Sequence, residues 1–348
     1  VTKTSADRVN YVNVGLMVLS CAVAYVIPFE LFLFSYAVLG PLHYLTEISW
    51  LHDRKYFIGG GAARGARPAR WWVVLVFVTL GVMLAGLIAE KVFALNIPPA
   101  AEIGLFYLVF ITAAVVVFVK NRAAAAALAL LALGSVLLFS TSPLFGLIAV
   151  LLITVVHVLV FTAAFILLGA LKGKSWSGIV SLAVFALCVT TFFVFVPPMP
   201  GWTAGAFVRE SYASFQGLNG VLIKLFDLGR GTTLAEIYDS SAGLVVMRLI
   251  AFSYTYHYLN WFSKTSIIKW HEVPATRISA ILVLWVAALG LYAYSYALGF
   301  AALYVLSVLH VMLEFPLNHQ SVAGIANELR SLAVAGFGAR RDRRAGFP

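Results

Sequence analysis

The chain has 348 residues, of which 62% are hydrophobic and 11% charged, and it carries a formal net charge of +10. At a mean hydropathy of +0.96 that much apolar surface cannot be hidden in a water-soluble core, so the composition excludes a soluble globular enzyme and predicts an all-α polytopic membrane helix bundle. The basic residues are spread over short loops and a terminal tail, which excludes nucleic-acid binding as the reason for the charge.

Crossing about 30 Å of hydrocarbon takes roughly 20 apolar residues. Runs of that length fall near 10–28, 30–52, 71–95, 101–119, 123–140, 144–171, 178–197, 241–263, 277–297 and 299–317, which predicts about ten helices. The first run lacks a small-residue cleavage pattern and is expected to stay as the first helix. Gly40-Pro41 predicts a kink in the second. The basic segment 59–68 reads as a cytoplasmic loop, and 217–229 as a short amphipathic helix covering the bundle. Arg248, about two turns inside the outer end of its run, is expected to pair with Glu90 or Glu102 or to snorkel outward. The expected organisation is one membrane domain over 1–322, followed by a basic, partly disordered tail over 323–348.

Orientation comes from the basic residues. Lys3 and Arg8 precede the first helix, and Arg54, Lys55, Arg64, Arg67 and Arg70 follow the second. Lys120 and Arg122 follow the fourth, Lys172 and Lys174 the sixth, Lys264, Lys269 and Arg277 the eighth, and five arginines occupy the tail. Positive charge marks the cytoplasmic side, so both termini are expected in the cytoplasm. Val1 suits either a bacterial alternative start or trimming, and the membrane expected is a bacterial inner, cytoplasmic one.

Two stretches repeat one pattern of metal-ligating residue types. Leu42 to His52 and Leu309 to His319 both read L-H-x3-E-x4-H, giving His43, Glu47 and His52 in one copy and His310, Glu314 and His319 in the other. Histidine and glutamate are costly inside apolar segments and usually functional there. The four-residue step places each histidine and glutamate on one helix face. The next histidine is rotated by about 140° from the glutamate and joins only where the helix ends or bends. Pro316 supplies that break in the second copy; Cys21 and Cys188 read as small core residues.

All seven histidines lie on even-numbered helices or just past their ends. His43, His157, His257 and His310 fall 11 to 16 residues from the starts of their runs, so their depths agree to within about 8 Å. His52, His271 and His319 form a second layer nearer the cytoplasmic ends. A lone buried histidine is usually a satisfied core residue, but a set at one depth points to a shared site. The expected ligands are His43, Glu47, His52, His157, His257, His271, His310, Glu314 and His319. Tyr256, Tyr258, Asn260, Glu272 and Asp53 are expected to orient them from behind.

Nitrogen and carboxylate donors without thiolate suit iron, zinc or manganese, and nine donors are enough for two ions, with iron expected. Such a donor set predicts a membrane metalloenzyme with a dinuclear iron site toward the cytoplasm. It would use O2 and a cytoplasmic electron donor to desaturate or hydroxylate a lipid-like substrate drawn from the surrounding membrane lipids. In donor type and placement the chain resembles the broad class of histidine-rich membrane desaturases and hydroxylases. It departs from them in spacing, since their boxes hold histidines two to five residues apart and here none are closer than nine. The alternatives are a transition-metal or proton-coupled transporter using the same cluster, a zinc-dependent membrane hydrolase, and a haem protein, for which the glutamates are poor neighbours.

Overall fold

The computed structural model describes residues 3–54, 70–95, 100–139, 141–197, 204–264 and 272–335, and among these it contains helices and no strand. The order is α1 (Lys3–Val26), α2 (Pro28–Phe34), a π-helical segment π1 (Ser35–Leu39), α3 (Gly40–Arg54), α4 (Arg70–Phe93), α5 (Ala100–Phe118), α6 (Arg122–Phe139) and α7 (Pro143–Leu151). A second π segment, π2 (Leu152–Phe161), leads into α8 (Thr162–Gly173) and α9 (Trp176–Val194). Three short helices come next, α10 (Ala206–Ser211), α11 (Gln216–Leu225) and α12 (Leu234–Tyr238), and then α13 (Ser241–Ser263), α14 (Ala275–Tyr294) and α15 (Tyr296–Ala335).

All ten expected long segments form. Nine described helical stretches are long and apolar enough to cross a membrane, so this is an all-α integral membrane protein. The segment outside that set is α13, whose 23 residues would span about 34 Å. Arg248, His257, Asn260 and its tyrosines lower its hydropathy, and it is buried almost throughout from Gly243 to Asn260.

Helix ends are set by local chemistry. Ser175, Ser240 and Thr233 accept a backbone N–H in the first turns of α9, α13 and α12, the usual N-cap bond. Pro28 and Pro143 open α2 and α7, where a missing N–H costs nothing. Lys174 closes α8 in the left-handed conformation, with φ at 45°. The expected kink before His43 takes the form of π1. Pro41 has no N–H and its ring crowds the carbonyl four residues back, so the turn widens and Gly40 N–H bonds Ser35 O, five residues away. The carbonyls left around that turn are met by side chains, Trp285 Nε1 donating to Val38 O at 2.8 Å and the Tyr296 hydroxyl to Leu33 O at 3.2 Å.

At Pro316 the structure differs from the sequence expectation. The helix does not break there; α15 runs through the proline to Ala335, well into the stretch whose composition reads as a tail. In a membrane a helix can lose one backbone bond and stay continuous, because its neighbours satisfy the freed group.

Residue contacts group the chain into two compact units, 1–43 with 158–300, and 44–157 with 301–348. The chain passes from one to the other inside continuous helices, at His43–Tyr44, His157–Val158 and Phe300–Ala301.

In the first unit, α13 packs against α1, α2 and α9. Gly178 lets α8 and α9 approach closely, since a Cβ there would lie 2.7 Å from that of Ala170. The segment expected as an amphipathic cover is α11, which buries Asn219, Gly220, Leu222 and Ile223. Its Gly220 backs onto Gly231, which adopts φ +66° where a side chain would be strained. Tyr212, Phe215 and Tyr238 of this cover pack on Phe29, Phe32 and Tyr36, and burial raises the Tyr212 phenol well above its usual range. Arg248 is fully buried with its guanidinium 4.9 Å from the Tyr25 ring. Its Nη2 donates to Pro197 O at 3.4 Å, and its Nε and Nη1 find no hydrogen-bond partner among the described residues.

In the second unit, α5 packs on α4, α6 and α7. Tyr107 stacks on Phe145 at 3.9 Å and donates to its carbonyl, beside buried Val136 and Ala149. Trp72 Nε1 donates to Val109 O.

Candidate metal centre

Of the six histidines among the described residues, the four predicted to share a depth are buried: His43 at 1%, His157 and His310 at 2% and His257 at 7% exposure. They form two pairs. In the first unit His43 Nε2 lies 3.1 Å from His257 Nε2, with the rings edge to face at 78°. In the second unit His310 Nε2 lies 3.2 Å from His157 Nε2, with the rings at 76°. Two imidazole nitrogens each about 2.1 Å from a common ion, at an angle of about 95° to 100°, would be separated by the same distances.

Each pair takes one member from a helix with a π turn and one from an unbroken α-helix. His43 lies four residues beyond π1 and meets His257 of α13; His157 lies within π2 and meets His310 of α15. An i to i+5 turn inserts a residue and rotates the helix beyond it, and such turns concentrate at functional sites. The run Ile153 to Val156 is β-branched at every position, which crowds a regular helix and suits a widened one.

His257 is braced from behind: Thr162 Oγ1 lies 2.9 Å from His257 Nδ1, which leaves Nε2 as its ligating atom. In the second unit Glu314 Oε2 approaches His157 Nδ1 to 3.1 Å without hydrogen-bond geometry, and Asn318 Nδ2 donates to the same oxygen at 3.5 Å. Aromatic rings line both pairs. Tyr258, Trp261 and Phe262 surround His43, with centroids 5.0 to 6.5 Å away, and Tyr44 stacks on His310 at 4.3 Å.

The other expected site residues fall in different places. Glu47 is buried, at 2% exposure, one turn beyond His43. His52 has a side chain 67% exposed and contacts Asp53 at 3.3 Å, apart from the buried pairs. His319 also stands apart. With α15 unbroken it lies nine residues from His310, about 180° around the helix, and its Nε2 donates to Phe110 O at 3.0 Å. Tyr258 is beside both His43 and His257, as a residue behind the ligands should be. Tyr256 instead stacks on Phe252 and donates to Asn13 Oδ1. Asn260 is buried and Glu272 exposed; His271 lies outside the described residues.

Thr162, Asn318 and Tyr44 were missed by sequence reasoning. Asn318 stands four residues after Glu314, and that spacing is a readable signal. Nothing in the sequence marks Thr162, which is 95 residues from its partner. Cys21 and Cys188 are not among these contacts; Cys21 Sγ lies 3.9 Å from Thr191 Oγ1 on α9.

In each unit two buried imidazoles can thus serve one metal ion. No protein-family model, curated protein or solved structure matches the chain.

Proposed function

We propose that this protein is a membrane metalloenzyme that hydroxylates or desaturates a lipid-like substrate, using O2 and electrons from a cytoplasmic donor. The observation that carries the reading is the approach of imidazole Nε2 atoms to 3.1 and 3.2 Å in two buried pairs. Nitrogen donors with carboxylates close by, and no thiolate among them, suit iron first and zinc or manganese next. The proposed ligands are His43 with His257 in one unit and His157 with His310 in the other. The donors brought together are one pair of imidazoles in each unit rather than nine groups.

The substrate class is set by the surroundings. Tyr258, Trp261 and Phe262 give His43 an apolar lining, and ligands buried within long apolar helices suit a substrate that arrives through the hydrocarbon. A hydrolase would need a polar leaving group to be solvated in the same place, which this lining disfavours. The resident metal would supply activation of O2. The chain's own part is to hold the imidazoles in one tautomer, to exclude water and to present an apolar wall to the substrate.

The test compares elemental analysis of the purified protein with lipid extracts of cells carrying the wild type or His257→Ala. Iron at a stoichiometric level, lost in the variant, is expected together with an apolar compound that gains oxygen or loses hydrogen only with the wild type. Bound zinc with an ester or amide product would replace this reading with the hydrolase. Altered metal uptake with an unchanged lipid profile would replace it with the transporter.

A further inference from the structure

We propose that Arg248 is the seat of an anionic lipid, whose headgroup phosphate accepts the hydrogens that the guanidinium leaves unused. Arg248 is fully buried on α13. The bond from Nη2 to Pro197 O is long, at 3.4 Å. Nε and Nη1 find no hydrogen-bond partner among the described residues, so most of the guanidinium's hydrogens are unused. Glu30, on the neighbouring α2, does not fill the place, since the buried Glu30 Oε2 is itself without a hydrogen-bond partner among the described residues. Arginine keeps its charge in proteins, and a buried charge is costly unless it is paired. The Tyr25 ring, 4.9 Å from the guanidinium, lowers that cost but brings no negative charge. An ionised residue so placed within a membrane bundle points to a ligand.

Its position selects the kind of ligand. Arg248 stands about 10 Å from the start of α13 at Ser241. The apolar spans of α1 and α9 end at Val26 and Val194, and the groups that the guanidinium meets, Tyr25 and Pro197, stand at those two ends. The side chain therefore reaches toward the headgroup layer, as long basic side chains in a membrane do. Val26 and Phe195 flank Tyr25 and are exposed, and the Tyr25 hydroxyl donates to Phe195 O. Exposed apolar residues around a buried guanidinium suit an amphiphile, with acyl chains along the helices and a phosphate on the cation, for which arginine is the preferred partner. A soluble phosphate would have to shed its water to reach the same atoms. His257 is nine residues further along α13, about 13 Å away and on the opposite side of the helix, so the site is separate from the histidine pairs.

The experiment uses full-length wild type and Arg248→Met, stripped of lipid in detergent, with phosphatidylglycerol, phosphatidylcholine or inorganic phosphate added. Phosphatidylglycerol should raise the unfolding temperature of the wild type and stay bound at a stoichiometric level in native mass spectra. Phosphatidylcholine should do less, and inorganic phosphate nothing. Affinity for phosphatidylglycerol should fall about 10-fold or more in Arg248→Met, the worth of one hydrogen bond to a charged group. The stripped variant should unfold no earlier than the stripped wild type, because an unpaired buried charge has been replaced by an apolar chain of similar length. Where Arg248→Met does not fold, Arg248→Gln takes its place and keeps a donor for Pro197 O. A wild type that neither retains nor responds to phosphatidylglycerol would overturn the proposal, and so would equal retention by the variant. A response to inorganic phosphate as large as that to lipid would make the ligand a soluble anion and overturn the lipid assignment.

Discussion

The two histidine pairs reach the same geometry by different supports. Their Nε2 separations differ by 0.1 Å and their interplanar angles by 2°. Behind His257, however, stands the hydroxyl of Thr162, and behind His157 the carboxylate of Glu314. The hydroxyl hydrogen-bonds its histidine, whereas the carboxylate comes close without hydrogen-bond geometry and is itself met by Asn318. The first pair is thus held by that hydrogen bond and by packing among Tyr258, Trp261 and Phe262, the second by packing with Glu314 alongside. Both pairs have a π turn on one partner helix, which makes the π turns the common device.

Removing that device should have the largest effect. Deleting Val155 shortens π2 by one residue and lets it revert to an α-helix, rotating His157 by about 100° relative to α7. Near-complete loss of bound metal, with helix content preserved by circular dichroism, is the expected result. Metal retained at the wild-type level would show that the π turn is incidental and that the likeness of the pairs has another origin.

The contrast between supports is sharpened by Thr162→Val, which removes the hydroxyl and keeps the shape. Leaving His257 Nδ1 without that contact should cost about 1 to 3 kcal/mol of stability. Metal affinity should fall by more than in Glu314→Ala, because of the two groups only Thr162 hydrogen-bonds its histidine. An equal or smaller fall in a cobalt titration would reverse the ranking of the two supports.

The smallest effect concerns π1. Trp285→Phe deletes the donor to Val38 O while keeping the ring, and should lower stability by about 1 kcal/mol, the net worth of one such bond. Thermal unfolding in detergent reads this directly. A loss of metal in the same variant would mean that π1 depends on that single bond to hold His43 in place.

The sequence was most informative about depth. Counting from the helix starts separated His43, His157, His257 and His310 from the other three, and those four are the buried ones among the described histidines, because rise along a helix is uniform and survives small boundary errors. Partnership was not readable. The repeated motif paired His43 with Glu47 and His310 with Glu314 as ligand sets, whereas His43 meets His257 and His310 meets His157. A motif reports which residues share a face of one helix, but which helix that face meets depends on packing between segments more than a hundred residues apart.

Composition and hydropathy by themselves determined the all-α membrane class and all ten long segments, since backbone groups in hydrocarbon must bond within their own helix and apolar length is then enough. Pro41 likewise announced the disturbance that became π1. Tertiary structure alone decided the rest. It kept α15 continuous past Pro316, turning His319 to the opposite side from His310, and left His52 at an exposed helix end. It also brought Thr162 and Glu314 to the Nδ1 atoms of their histidines. The physical reason is that helix formation is a property of the local chain, while the tautomer and aim of a buried imidazole are set by whichever atoms distant helices place around it.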